Sequence, residues 1–286
     1  MTSFSLKVLA CIFMLIDHVA EFVPGMPVQM HWIGRLAAPI FLFLVGWSCE
    51  FTHDRTRYLR RLYVAGVCMA IVQGVLGISN NVFTSLFQVA LIVSLLSREE
   101  AHERARGIAA YLLYETVLTL VLWYAIAPLD VPDVVLRVAV AATGSILGLE
   151  GGFFYVMLGV ALWAARDRKI LLSAVFVGLV VLFSLAMSSY SARVLFALSR
   201  HRNPIVAAVG DQMFMLLDIL GIPRFAMGRS IWTLNYQWMM AFALPFLLAY
   251  NRRRGPGIKW FFYAFYPVHI VALYGLGQLA TMPVGA

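Results

Sequence analysis

The amino-acid sequence predicts an all-α protein, a polytopic transmembrane helical bundle with roughly nine to eleven membrane segments. Three observations predict it. Hydrophobic residues make up 62% of the 286-residue chain and charged residues only 13%. With a mean hydropathy of +0.84, this is a balance that no soluble domain of this length shows. Apolar segments long enough to cross about 30 Å of hydrocarbon recur from end to end, and almost every charge falls between them. The runs are continuous rather than alternating and about twice the length of a barrel strand, which excludes a transmembrane β-barrel. No internal repeat or low-complexity tract interrupts the pattern, and residues 1–286 read as a single integral membrane domain.

The net charge of +8 does not point to nucleic acid, because Lys and Arg gather in short clusters at the ends of apolar runs. That distribution belongs to topology signals and contacts with membrane lipid headgroups. Cys11, Cys49 and Cys68 sit in or near apolar segments without a CxxC pairing and read as packing residues.

The first crossing is Leu6 to Val23. It carries Asp17 and His18 and is followed by no convincing small-residue cleavage site, so it reads as a helix rather than a signal peptide. Next come Trp32 to Phe51, Tyr58 to Ile78, a short run at Val82 to Ser97, and Gly107 to Pro128. Val131 to Ala165 is interrupted by Gly148, Glu150, Gly151 and Gly152 and reads as a broken helix, which membranes tolerate where the irregular backbone lines an enclosed cavity. On that reading Ser188 to Ser230 is a long external loop. Were Val131 to Ala165 two full helices instead, Pro204 to Gly221 would have to cross. Ile170 to Met187, Ile231 to Tyr250 and Trp260 to Ala280 complete the series. Arginines at 55, 57, 60 and 61, at 98, 104 and 106, and at 252 to 254 mark cytoplasmic loops by the positive-inside rule. The N-terminus is therefore expected in the cytoplasm.

An ionised carboxylate near the centre of a membrane helix costs about 2.5–3.5 kcal/mol on insertion scales, so buried charge is presumed functional until paired. Asp17 and His18 are neighbours and point about 100° apart on a helix, so each needs its own partner. Arg35, near the outer start of the second crossing, is at a depth to pair with Asp17. Such a pair can equally serve to fix the packing of two helices. His18 and His269 are better placed for proton transfer. His269 follows Pro267, which breaks the helical ladder, and a neutral imidazole can accept or donate a proton near physiological pH. The plainer alternative for each is a buried His bonded to a backbone carbonyl.

No HxxxH spacing links His18, His31, His53 and His269, and no metal is expected. A P-loop, a GxSxG and a GxGxxG in the required context are absent. The stretch Ala249 to Trp260 joins a Gly-Pro-Gly turn to Arg252, Arg253, Arg254 and Lys259. It is either a topology signal or a phosphate clamp for an anionic cytosolic cofactor.

Three stretches together resemble the TraX family of conjugation-associated membrane proteins: LKVLACIFMLIDHV, GRLAAPIFLFLVGW and LPFLLAYNRRRGPGIKWFFYAFYPVHIVALYG. Ser79 to Val93 resembles it more weakly, and the middle of the chain from about Arg98 to Met227 is not covered. The resemblance implies a polytopic protein of the bacterial inner membrane that N-acetylates the pilin subunit with acetyl-CoA as acyl donor, a step of pilin maturation. It also implies kinship with transmembrane acyltransferases that use a buried His. Asp17, His18, Gly34, Arg35, Pro39, Asn251, Gly255, Tyr266, Pro267 and His269 are the positions it singles out. One departure is Asn251-Arg252, where the family's usual pair is Asn-Gly, so the turn there is expected to be made differently.

Acyl transfer suits these residues. Arg252, Arg253, Arg254, Lys259 and Asn251 would hold the phosphates of acetyl-CoA at the cytoplasmic face. One of His18 and His269 would take the proton of the pilin α-amine while the other polarises the thioester carbonyl. Asp17 and Arg35 would hold the frame. Two other readings remain open: another modification of the pilin terminus, such as head-to-tail cyclisation, and a non-enzymatic transporter or pilus-assembly scaffold. The oligomeric state is not encoded in any feature of the sequence.

Overall fold

The computed structural model describes residues 1–126, 129–257 and 259–281. The chain is an all-α polytopic helical bundle, with no strand among the described residues. Six helical stretches are long and apolar enough to cross a bilayer: Ser3–Phe22, Gln29–Phe51, Arg55–Leu76, Ala101–Ile126, Lys169–Ala186 and Trp260–Thr281. Val82–Leu96, Gly152–Ala165 and Tyr236–Leu248 are shorter apolar helices. The chain forms two compact units.

The first unit comprises Met1–Leu44, Ala165–Phe214 and Pro223–Ala286. Its opening helix α1 (Ser3–Phe22) is capped by Thr2, whose hydroxyl accepts from the Ser5 amide. Leu6, Ala10, Cys11 and Met14 recur at helical spacing and form its buried stripe. A second span is divided into α2 (Gln29–Gly34) and α3 (Ala37–Phe51). Pro39 explains the division: it has no N–H to give the carbonyl of Arg35, so the ladder lapses at Arg35 and Leu36. Helix α13 (Lys259–Thr281) carries Pro267 in its interior and packs on α1. A Cβ added at Gly277 would fall on the Phe22 carbonyl, so glycine lets the two helices close up there.

The second unit comprises Val45–Ala164 and Met215–Ile222. Helix α4 (Arg55–Leu76) starts at Asp54, whose side chain accepts from the Arg57 amide, and stops at Gly77 in a left-handed cap. It packs against α5 (Val82–Leu96) and α7 (Asp133–Thr143), while α6 (Ala101–Leu120) lies on α5 and runs into a π-helical turn over Val121–Ile126. After α7 the chain is irregular until α8 (Gly152–Ala165). Gly144, Gly148, Gly151 and Gly152 all have positive φ, so the expected broken helix is present, with its break starting at Gly144. Neither piece reaches the ~20 residues that one crossing requires.

Two expectations need correction. Ser188 to Ser230 is not a loop, because it contains α10 (Ser189–Ser199) and α11 (Pro204–Ile219). Ile231 to Tyr250 is not one α-helix; it becomes helical at Tyr236, winds as a 3-10 helix to Ala243, and ends in α12 (Leu244–Leu248). The cause of the tight winding is local. Pro245 has no N–H for the carbonyl of Ala241, which accepts from Leu244 one residue earlier instead. Upstream, the buried Asn235 amide donates to the carbonyls of Met187, Ala226 and Arg229 and holds the preceding turn.

Gly152 offers a sharp test of the break. Its φ is +63°, and a Cβ there would meet the backbone of Gly221. Gly152→Ala is expected to destabilise the protein by more than about 2 kcal/mol. Gly178→Ala, on α9 (Lys169–Ala186) with nothing within 4 Å of its Cβ, should be neutral or slightly stabilising. Thermal unfolding of both variants in the same detergent checks the contrast.

Candidate functional site

Two polar clusters grow from adjacent residues of α1. Asp17 points to α2, where its Oδ1 lies 2.7 Å from His31 Nδ1 and its Oδ2 accepts from Arg35 Nη2 at 2.7 Å. His31 and Arg35 are one helical turn apart, which brings both to the same side. The side chains are only 13% exposed for Asp17 and 22% for Arg35. Gly34 sits between them, and a Cβ there would collide with the Asp17 side chain. Tyr236, from the 3-10 helix, stacks its ring on His31 with centroids 5.6 Å apart and planes 7° from parallel, and the Arg35 guanidinium lies 5.4 Å from the same ring.

His18 points instead to α13. Its Nδ1 lies 2.7 Å from His269 Nε2, with the two rings stacked at 5.0 Å. Both residues are buried, His18 at 3% and His269 at 7% exposure. His269 Nδ1 lies 2.6 Å from the carbonyl of Phe265, one turn earlier on the same helix. A carbonyl only accepts, so Nδ1 of His269 carries the proton. With both rings neutral, His269 Nε2 is then an acceptor, His18 Nδ1 donates to it, and the unprotonated nitrogen of the pair is His18 Nε2. Tyr266, buried on α13, sets its ring edge-on to both imidazoles, and Phe265 stacks on His269 at 4.6 Å. Pro267, between Phe265 and His269, leaves the Tyr263 carbonyl without its helical donor and loosens the turn that presents them.

The plain alternative for His269, a bond to a backbone carbonyl, is thus present, but it orients the ring instead of satisfying it. Its other nitrogen is occupied by the second histidine. Three residues that sequence reasoning did not single out belong to the site. Glu21 approaches His18, with Oε2 3.9 Å from Nε2; the His18-Val19-Ala20-Glu21 spacing, one helical turn, was the signal for it. His31 was legible from its i,i+4 spacing to Arg35. Tyr236 carries no local signal, lying some 200 positions from the residues it touches.

The basic cluster occupies the other end of the same helices. Ser3 and Phe4 donate their amides to the carbonyls of Arg253 and Arg254 at 2.8 and 3.0 Å, which satisfies first-turn donors of α1. Asn251 accepts from the Arg253 amide at 3.1 Å in a tight turn. Arg252 completes that turn with φ 61°. The expectation of a different turn is therefore corrected: Arg252 adopts the left-handed conformation that Gly takes freely. Gly255, at φ +74°, packs where a Cβ would press on Thr2 and Phe4. The side chains of Arg252, Arg253 and Arg254 are exposed, and Arg252 Nη2 pairs with Asp167 at 3.0 Å. The Lys259 side chain lies outside the described residues.

A left-handed non-glycine residue costs about 1–2 kcal/mol, whereas an exposed ion pair contributes at most about 1 kcal/mol. Arg252→Gly is accordingly expected to leave stability unchanged or raise it by up to about 1 kcal/mol. Unfolding midpoints of the two proteins decide it, and a fall of several degrees would show that the Asp167 pair dominates.

The fold and these two clusters define a polytopic membrane protein that carries hydrogen-bonded ionisable groups within its helices. The TraX protein family profile matches residues 3–277, essentially the whole chain. The chain belongs to the TraX family. No curated protein and no solved structure matches it.

Proposed function

We propose that the protein is a membrane-embedded acyltransferase that moves an acetyl group from acetyl-CoA to the N-terminal amine of a conjugative pilin subunit. The observation that carries this reading is the buried His18–His269 hydrogen bond, with the tautomer of His269 set by the Phe265 carbonyl. Two stacked imidazoles bonded in series at 3% and 7% exposure form an oriented base.

In the proposed reaction the amine attacks the thioester carbonyl, and His18 Nε2 removes the proton that the nitrogen must shed. The carbon–sulfur bond then breaks, and the proton is returned to the departing thiolate, giving the amide and free CoA. Glu21, partly exposed and 3.9 Å from Nε2, offers a route by which a proton reaches water. Asp17, Arg35 and His31 hold α2 against α1 and leave His18 to the other side.

The donor would be held at the basic end. His269 lies ten residues beyond Lys259, about 15 Å along α13, and His18 lies about 22 Å along α1 from Ser3. A substrate with its phosphates at one end and its thioester on a long flexible arm suits that separation. Arg252, Arg253, Arg254 and Asn251 would bind the phosphates there. We place this end, and the N-terminus with it, on the cytoplasmic side of the bacterial inner membrane, where acetyl-CoA is found.

The test is the mass of the pilin subunit produced with and without this protein. A gain of ~42 Da at the N-terminus marks acetylation. Loss of one water relative to the linear processed chain would replace acetylation with cyclisation, and an unchanged mass would remove both.

A further inference from the structure

The second unit encloses a cavity of about 420 Å³ between α4, α5, α7 and the glycine-rich break. Nothing in the proposed acyl transfer uses it. Most of its wall is apolar, with Leu62, Phe87, Leu122 and Val140 among the lining residues. Irregular backbone at membrane depth is stable where it lines such a space, and four left-handed glycines supply it here.

Asn81 is the unusual group in the wall. It stands at the N-cap of α5, where an Asn side chain ordinarily accepts from the first turn, yet it makes no capping bond. Its Nδ2 donates instead to the Gly66 carbonyl and to Gln73 Oε1, both at 3.0 Å. Those two bonds fix which end of the amide is which. They leave Oδ1, on a residue 1% exposed, with no hydrogen-bond partner, a state buried acceptors rarely keep. Gln88 lines the same cavity but is engaged at both ends. Its Nε2 donates to the Gly144 carbonyl and to Glu115 Oε1, and its Oε1 accepts from Tyr111. The cavity therefore presents one fixed acceptor, on an otherwise apolar wall.

Its mouth adjoins the hydrocarbon. Leu122 and Trp123 reach it from the π-helical turn that ends the Ala101–Ile126 span. Trp123 is 39% exposed, and Val121 and Tyr124 beside it are exposed apolar residues of that same span. Side chains of this kind on a membrane-spanning helix face lipid. The volume equals that of about fourteen waters at ~30 Å³ each, which accommodates one medium-length chain with a small head and excludes a two-chain phospholipid.

We infer that this cavity binds a single-chain lipid from the bilayer whose head donates a hydroxyl or amide hydrogen to Asn81 Oδ1. The site is independent of the acyl-transfer reading.

The experiment uses the full-length protein in detergent and two probes: 1-dodecanol with a diazirine in its chain, and the methyl ether of the same molecule, which keeps the oxygen and lacks the donor. After illumination, the alcohol is expected to label peptides of α4, α5 and α7 about tenfold more than the ether, the factor one neutral hydrogen bond supplies. Ala141→Phe, which fills the cavity from the α7 wall, should remove that labelling, and Asn81→Leu should make the two probes equal. Equal labelling by both probes in the unaltered protein overturns the inference, whatever becomes of the Asn81 variant. So does labelling that survives Ala141→Phe, or the absence of cavity labelling by either probe, which would mean that water fills the space.

Discussion

His18→Ala is expected to reduce pilin acetylation by about 10²–10⁴-fold, the contribution of a positioned general base. His269→Ala should reduce it less, by about 10–100-fold, because His18 keeps its Nε2 and loses only the partner that fixes its ring and tautomer. The ordering follows from the direction of the hydrogen bonds, which run from His18 to His269 to the Phe265 carbonyl. Initial rates of pilin acetylation in membranes containing equal amounts of each variant measure it. If His269→Ala is the more severe, the roles are reversed; if neither matters, the pair is structural. His269→Gln adds a control, since an amide can accept from His18 and should recover part of the rate.

Asp17→Ala is expected to be the most damaging change for stability, about 3–5 kcal/mol, because it leaves the largely buried Arg35 guanidinium without its carboxylate. The double change Asp17→Ala with Arg35→Met should be milder than Asp17→Ala alone, since it removes both charges. Unfolding midpoints of the single and double variants test this. Should the double variant be as unstable as the sum of its parts, the pair would not be the main load on α1 and α2. His31 and Tyr236 extend the same cluster, so Tyr236→Ala should lower the midpoint by a smaller step through loss of the stack on His31 and of the Arg35 contact.

Much of this architecture was legible in the sequence, for specific reasons. The long apolar runs announced the spans, since hydrocarbon thickness sets their length. The glycines at 148, 151 and 152 marked the broken helix because they can take positive φ. Asp17 and Arg35 could be paired on depth alone, and helix geometry sent His18 elsewhere. Other features had no local signature. The short helices α10 and α11 lie where mixed polarity resembles a loop, and only tertiary contacts reveal them. Tyr236 reaches the Asp17 cluster across the fold. Asn81 looked like an ordinary helix start, and its unbonded carbonyl oxygen is visible only once Gly66 and Gln73 are in place. Arg252 breaks a rule of local preference, since an arginine stands in a glycine's conformation, and no sequence rule anticipates that.

The two histidines are separated by 251 positions and belong to the first and last helices of the chain. During synthesis His18 therefore enters the membrane early and waits, while every intervening segment is made, for the imidazole that completes it. The earliest helix holds a half-finished polar site through nearly the whole of translation. A protein built this way gains its chemistry only at the end of its own assembly, so premature termination anywhere before the last helix yields an inert product.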